Sequence, residues 1–328
     1  MASLLERLLP RLRARPSDAV TETNIPVSPL RDVLADNPGP ATAGGCLDRQ
    51  GLFVIGAARA GTTILQNALN DSADVFLLGE PAFHHDPGTA DFAERYNARH
   101  RAWHNQENKS SHCPRFFDGD DSWHAYLHHL ARLYRRVGSK IVVNPEDADA
   151  EVAKIFDFHS RHFYRSHHLF TFRHPLDVLV SVRTLAAWSN HEGADHASIL
   201  RSFHLVVQLY LRMLRNLPHV SAVFHEGIDA QTFQALGRAL GVDLHGAAAY
   251  YDRGKVHRHT LDELPAAWHE PMRQAVSVYE DLRREVEAGP ALLQVEQNSH
   301  NLDERHYTVL GRLWRRTELL LAALDGTP

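Results

Sequence analysis

Phe53-Val54-Ile55-Gly56-Ala57-Ala58-Arg59-Ala60-Gly61-Thr62-Thr63 is the stretch on which the fold turns. The apolar run Leu52 to Ile55 has the length and character of a strand buried on both faces. A glycine-bounded turn follows, and the spacing predicts a helix from Thr62 to Asn70. Gly56 and Gly61 have the separation of a phosphate-cradling loop, in which backbone N–H groups at a helix N-terminus face an anion. A glycine turn between strand and helix can also serve tight packing alone. Arg59 inside this turn, with Thr62 and Thr63 at the helix start, sets it apart. A nucleotide kinase needs a lysine directly after the second glycine, and that position is Thr62.

Outward from this loop, short apolar runs alternate with helical patterns. Ser122 is expected to cap a helix whose apolar positions are Trp123, Tyr126, Leu127, Leu130, Leu133, Tyr134 and Val137, closed by Gly138. Ile141 to Val143, Leu169 to Phe172 and Val220 to Phe224 read as strands. Residues 147 to 157, Leu176 to Ala187, Ser198 to Leu217 and Gln231 to Leu240 read as helices, the last ending at Gly241. Beyond Arg253 the pattern is mostly helical. This alternation predicts an α/β fold, a P-loop-like three-layer sandwich. Its central sheet is mainly parallel and flanked by helices, with a helical insertion and C-terminal helices added. Residues 1–50 form a proline- and glycine-dotted arm, and 51–328 a single domain. The polar stretch 81–121, rich in histidine and dotted with aromatics, is expected to be a lid or an acceptor-binding insertion.

Composition narrows the function. The 328 residues carry a formal net charge of −5, which argues against a nucleic-acid partner. Two cysteines, Cys46 and Cys113, are too few for a disulfide framework and fit a reducing cytoplasm. Glu6, Arg7 and Pro10 interrupt any signal-like run, and no apolar stretch is long enough to span a membrane. Leu4, Leu5, Leu8, Leu9 and Leu12 form one apolar stripe beside arginines, suited either to a membrane surface or to a docking helix. Histidine occurs 24 times, yet His191 and His196 are five apart and His159 and His162 lack an obvious third ligand. No metal is expected.

A second cluster completes the reading. Arg173-His174-Pro175-Leu176-Asp177 follows the strand Leu169 to Phe172, and Ser181 comes eight residues after Arg173. An arginine fork and a hydroxyl in this setting suit a phosphate. Asp177 is expected to cap the helix that begins near Leu176. With Arg59-Ala60-Gly61-Thr62-Thr63, these residues resemble the sulfotransferases that use 3′-phosphoadenosine-5′-phosphosulfate (PAPS). The branch in question has an Arg-Ser-Gly-Thr-Thr loop, from which this chain departs at Ala60. Val223 to Glu226, the helix ending at Leu240-Gly241-Val242, and Arg253-Gly254-Lys255 also look like family features. The resemblance covers roughly residues 51–260.

The resemblance implies transfer of a sulfuryl group to a hydroxyl of a small-molecule or carbohydrate acceptor, releasing adenosine 3′,5′-bisphosphate. Arg59, Ala60, Gly61, Thr62 and Thr63 would hold the 5′-phosphosulfate, with Arg59 on the bridging oxygen. Arg173, Ser181, Arg253, Gly254 and Lys255 would hold the 3′-phosphate. Glu80, in Gly79-Glu80-Pro81, is the implied catalytic base, with His84 and His85 as rivals. Lys140 is either a further cation near the sulfuryl group or an ordinary solvated lysine at a strand start. The mechanism requires no metal. Trp188 and His191 join the insertion as candidates for an aromatic-lined acceptor pocket. A small-metabolite kinase, or a non-catalytic module binding a nucleotide or anion, are the competing readings.

Overall fold

A computed structural model describes residues 47–85, 123–189, 194–251, 259–288 and 304–325. Residues 1–46 of the arm, most of the 81–121 insertion, and the Arg253-Gly254-Lys255 loop lie outside these residues. Strands β1 (Gly51–Ala57), β2 (Val75–Leu78), β3 (Arg136–Val143), β4 (His167–Phe172) and β5 (Val220–Phe224) form one sheet in the order β2-β3-β1-β4-β5. Every pairing among them is parallel. A single helical turn, Leu47–Gln50, precedes β1, and the longer helices are α1 (Thr62–Asn70), α2 (Trp123–Ala131), α3 (Ala148–His162), α4 (Pro175–Ser189), α5 (His196–Asn216), α6 (Ala230–Leu240), α7 (His269–Ala288) and α8 (Glu304–Asp325). None of the described helices is long and apolar enough to cross a membrane.

Central strand β1 is buried at all seven positions because helices cover both faces of the sheet. Its side chains alternate between two cores. Leu52 and Val54 join Leu65 and Leu69 of α1 and Phe233, Leu236 and Leu240 of α6. Phe53 points the other way, its ring 4.4 Å from His159 and 4.6 Å from Phe163. Phe170 and Phe172 of β4 share that side, each edge-on to Tyr210 of α5. These are the three layers that the alternation of apolar runs predicts.

The expected helix from Ser122 to Gly138 is corrected. It ends at Ala131, where Gln50 Nε2 donates to the carbonyls of Ala131 and Tyr134 at 2.9 and 3.2 Å. Val137 and Gly138 belong to β3, which starts at Arg136 rather than Ile141. Gly138 is a close-approach glycine, since a Cβ there would lie 1.9 Å from the Leu52 carbonyl oxygen. Strand β2 had no distinctive signal, being only four residues long. Side chains of α1 hold it at the sheet edge. Asn70 exchanges two hydrogen bonds with the Leu77 backbone, at 2.7 and 3.0 Å, and Gln66 Nε2 adds one at 2.9 Å. Other helix boundaries follow their caps. Asp195 accepts from Ser198 N at the start of α5, Asp229 and Thr232 form a capping box on α6, and Gly241 ends α6 at φ 69°.

Topology then selects a site. The connection from β1 leaves toward β2, while that from β4 leaves toward β5 on the other side. Ligands of open parallel sheets bind at the carboxyl ends of strands where connections diverge in this way. The register Ile55↔Phe170 places Ala58 and Arg173 side by side there.

Several histidines are buried as neutral groups. His159 and His168 are 1% and 0% exposed, with His168 Nε2 3.2 Å from His159 Nδ1. Burial, and then the neighbouring His219, pushes His168 down to about 3; burial and Arg136 push His167 to about 3. Burial and then Arg316 push His204 to about 4, and burial drives His159 well below the ordinary range. These folded values lie below the unfolded value of roughly 6.5, so the unfolded chain takes up protons first. The stability they allow is present above about pH 6.5 and declines as pH falls toward 4. Each depressed histidine steepens that decline by about 1.4 kcal/mol per pH unit. Urea unfolding at pH 7.5, 6 and 5 is expected to show a falling midpoint; an unchanged midpoint would contradict neutral burial of this cluster.

Candidate active site

The loop between β1 and α1 is fixed by backbone bonds. Ala58 N–H donates to the Val143 carbonyl and Ala60 N–H to that of Ala57, each at 3.0 Å. Thr171 Oγ donates to the Ala60 carbonyl at 3.1 Å, a restraint from β4 that no local motif announces. Two residues take left-handed backbone, Arg59 at φ 66° and Gly61 at φ 94°. Gly61 is required twice over, because a Cβ would also lie 2.5 Å from His225 Nδ1. Gly61 is the N-cap of α1 and carries no side-chain cap. The first N–H groups of the helix therefore face the loop with the positive end of the helix dipole behind them.

Two guanidinium groups meet beside this helix start. Arg59 Nε donates to Ser181 Oγ at 3.0 Å, and Arg173 Nη1 donates to the Arg59 carbonyl at 3.3 Å. Burial, followed by the charge of Arg173, holds the Arg59 pKa below its ordinary value. Arg173 Nε and His225 Nδ1 are buried with no hydrogen-bond partner. Burial and Arg173 also lower His225, against smaller opposing effects of Glu226 and Asp177, so its ring is neutral at neutral pH. Among the described residues neither Arg59 nor Arg173 is paired with a carboxylate. Two cations, open N–H groups and unpartnered donors together make an anion cradle.

Residues with no expected role at the site hold the cradle in shape. Glu226 Oε1 accepts from His174 N–H at 2.7 Å, and its Oε2 accepts from Tyr279 Oη at 2.6 Å. The residue next to Arg173 is thereby tied to β5 and α7. Asp177, expected to be a helix cap, instead accepts from the His259 backbone N–H at 3.1 Å. It secures the segment that begins at His259, four residues after Lys255. Trp188, on the last turn of α4, is described in its backbone alone, and His191 lies outside the described residues.

Lys140 and Glu80 form a second cluster. Lys140 sits in the middle of β3, paired with Val54, and is 1% exposed, so it is not a solvated strand-start lysine. Its Nζ lies 2.8 Å from Glu80 Oε1 and 2.8 Å from Thr63 Oγ1. The ammonium thus bridges the first turn of α1 to the loop after β2. His84 and His85 do not reach this cluster by any described contact; both hold Glu151 of α3. Burial raises the Glu151 pKa, but the two imidazoles together outweigh it and leave the carboxyl below its usual value. His84, His85 and Glu151 are also the one group of three possible metal ligands among the described residues. Spacing did not reveal it, because the carboxylate lies 66 residues beyond His85. His124 and His128, at helical i, i+4 spacing, also escaped notice; their Nε2 atoms are 3.3 Å apart.

The insertion's ends converge. Phe83 and Trp123, each 4% exposed, have ring centroids 5.8 Å apart, so the described residues on either side of the insertion pack together.

Residues 51–226, more than half of the chain, match the family model described as "Sulfotransferase family". No curated protein matches the chain. A crystal structure of a sulfotransferase from Alicyclobacillus acidocaldarius is similar at 16% identity and a TM-score of 0.43. That match covers 70% of this chain and 94% of the other.

Lys140→Met removes the buried ammonium and leaves Glu80 without that partner. Breaking one side of such a pair costs about 3 kcal/mol, at the low end of the range because Glu80 retains 20% side-chain exposure. The double variant Lys140→Met/Glu80→Gln is expected to recover part of the loss in denaturant unfolding. Additive losses would show that the two groups do not support one another.

Proposed function

Because the chain belongs to the sulfotransferase family, we propose that it transfers a sulfuryl group from PAPS to a hydroxyl of a small-molecule or carbohydrate acceptor. Adenosine 3′,5′-bisphosphate is the other product. The observation that carries this reading is the Arg59–Ser181–Arg173 arrangement beside an uncapped helix start. Positive charge is concentrated there with no described carboxylate to neutralise it, which suits a doubly phosphorylated nucleotide.

The roles divide between the two clusters. Arg173 and Ser181 take the 3′-phosphate, with Arg253, Gly254 and Lys255 as further contributors from the neighbouring loop. Ala60, Gly61, Thr62 and Thr63 present backbone and hydroxyl donors to the 5′-phosphosulfate. Arg59 is expected on the bridging oxygen, and its contact with Ser181 supports a second role beside the 3′-phosphate. Lys140, 2.8 Å from Thr63, is the cation better placed to offset charge developing on the leaving phosphate. The acceptor oxygen attacks sulfur, the bond from sulfur to the bridging oxygen breaks, and the hydroxyl proton passes to Glu80. As in phosphoryl transfer, positioning and fixed charge supply most of the rate. Lys140 holds Glu80 in place for that proton transfer. The insertion beginning at Pro81 is the natural source of acceptor contacts, since Phe83 near its start packs on Trp123 just beyond its end.

Calorimetry with adenosine 3′,5′-bisphosphate tests the cradle. Wild-type protein is expected to bind, Arg173→Ala to lose at least about tenfold in affinity, and Arg59→Ala to weaken binding as well. If Arg59→Ala spares affinity and lowers only kcat, Arg59 belongs on the bridging oxygen after all. Glu80→Gln is expected to bind the bisphosphate normally while turnover falls about 10²- to 10⁴-fold. Unchanged turnover in Glu80→Gln, with loss in His84→Ala or His85→Ala, would move the base to a histidine. No affinity of wild-type protein for the bisphosphate would overturn the whole reading.

A further inference from the structure

Residues Ala82 to His85 turn two consecutive imidazoles onto one carboxylate. Neighbouring residues of an extended segment point to opposite sides. Here Ala82 adopts φ 52°, a left-handed backbone costly for any residue with a Cβ. His85 N–H bonds back to the Ala82 carbonyl at 3.0 Å. This tight turn brings His84 Nε2 to 2.5 Å from one oxygen of Glu151 and His85 Nε2 to 2.5 Å from the other. We propose that His84, His85 and Glu151 form a binding site for one divalent transition cation of the zinc class. The inference stands apart from the sulfuryl-transfer reading and does not depend on it.

The donor set supports this choice. Two imidazole nitrogens and one carboxylate oxygen are the protein ligands of many three-ligand zinc sites, with water in the fourth position. Imidazole disfavours magnesium and calcium, which prefer oxygen alone. The candidate ligand atoms lie within 4.8 Å of one another. Metal–ligand bonds of about 2.0–2.1 Å set tetrahedral donors roughly 3.3 Å apart, so each Nε2 needs to retreat from its carboxylate oxygen by less than about 1 Å. Burial is graded in a useful way. The His84 and Glu151 side chains are 3% and 11% exposed, whereas His85 is 45% exposed and opens an approach from solvent. The His124–His128 pair is exposed and belongs to no described three-ligand group.

A cation here would tie the loop after β2 to the first turn of α3. Glu80 lies four residues before His84 on that loop. The effect is to pin the segment between the sheet edge and the insertion.

The test uses full-length, tag-free protein stripped with a chelator, then titrated with zinc ion against a chromophoric competitor. Wild type and His124→Ala/His128→Ala are expected to bind one tight ion per chain. His85→Gln retains an N–H donor toward Glu151 but is a poor zinc ligand; it and Glu151→Gln are expected to weaken that ion at least about 100-fold. Zinc at a hundred times its Kd should raise the wild-type melting temperature by about 5 °C and leave that of His85→Gln unchanged. Stripped His85→Gln should melt with stripped wild type, which separates metal loss from misfolding. The proposal is overturned if His85→Gln titrates like wild type. It is equally overturned if the tight ion vanishes in His124→Ala/His128→Ala instead.

Discussion

Strand β1 is hydrogen-bonded along its length to β3 and over Leu52–Ile55 to β4, and the chemistry of this protein follows from that double pairing. Register decides what stands beside what at the carboxyl edge. Pairing Val54 with Lys140 sinks an ammonium into the sheet beside the first turn of α1. Pairing Ile55 with Phe170 brings the Arg59 turn alongside Arg173. A slip of one residue in either ladder would reverse the face of every side chain concerned. Burial on both faces prevents that slip, because Leu52 and Val54 fit one core and Phe53 the other.

Two kinds of positive charge coexist at this edge, and the difference matters. Lys140 is neutralised in place by Glu80, as a nearly inaccessible ammonium must be. Arg59 and Arg173 are left mutually repelling and, among the described residues, without a carboxylate. The protein tolerates that repulsion because the guanidinium groups remain partly solvated and are held by Ser181 and the loop carbonyl. Glu226, Tyr279 and Thr171 restrain the backbone on either side of the two arginines.

Much of this was legible in the chain. The strand-turn-helix around Arg59, the helix Thr62–Asn70 and the strand Val220–Phe224 match their expected limits closely, because each rests on local signals. The family match over residues 51–226 agrees with the resemblance carried by Arg59 to Thr63 and by Arg173 and Ser181. Gly138 misled for a physical reason. A glycine that ends a helix and one that lets two backbones touch look the same in sequence, and only the Leu52 carbonyl distinguishes them. Strand β2 was too short to signal itself and depends on Gln66 and Asn70 of the preceding helix. The partnership of His84 and His85 with Glu151 joins residues from separate elements and has no spacing to read.

By itself the sequence determined the class of fold, the strand-turn-helix around Arg59 and the order of the two arginine motifs, because these depend on periodicity and on short-range turn chemistry. Tertiary structure alone decided where the cations point and what each is paired with. Arg59 turns to Ser181, Lys140 to Glu80 and Thr63, and Asp177 to His259 rather than to its own helix. Those choices are made by strand register and by burial, which act between residues far apart in the chain and leave no local trace.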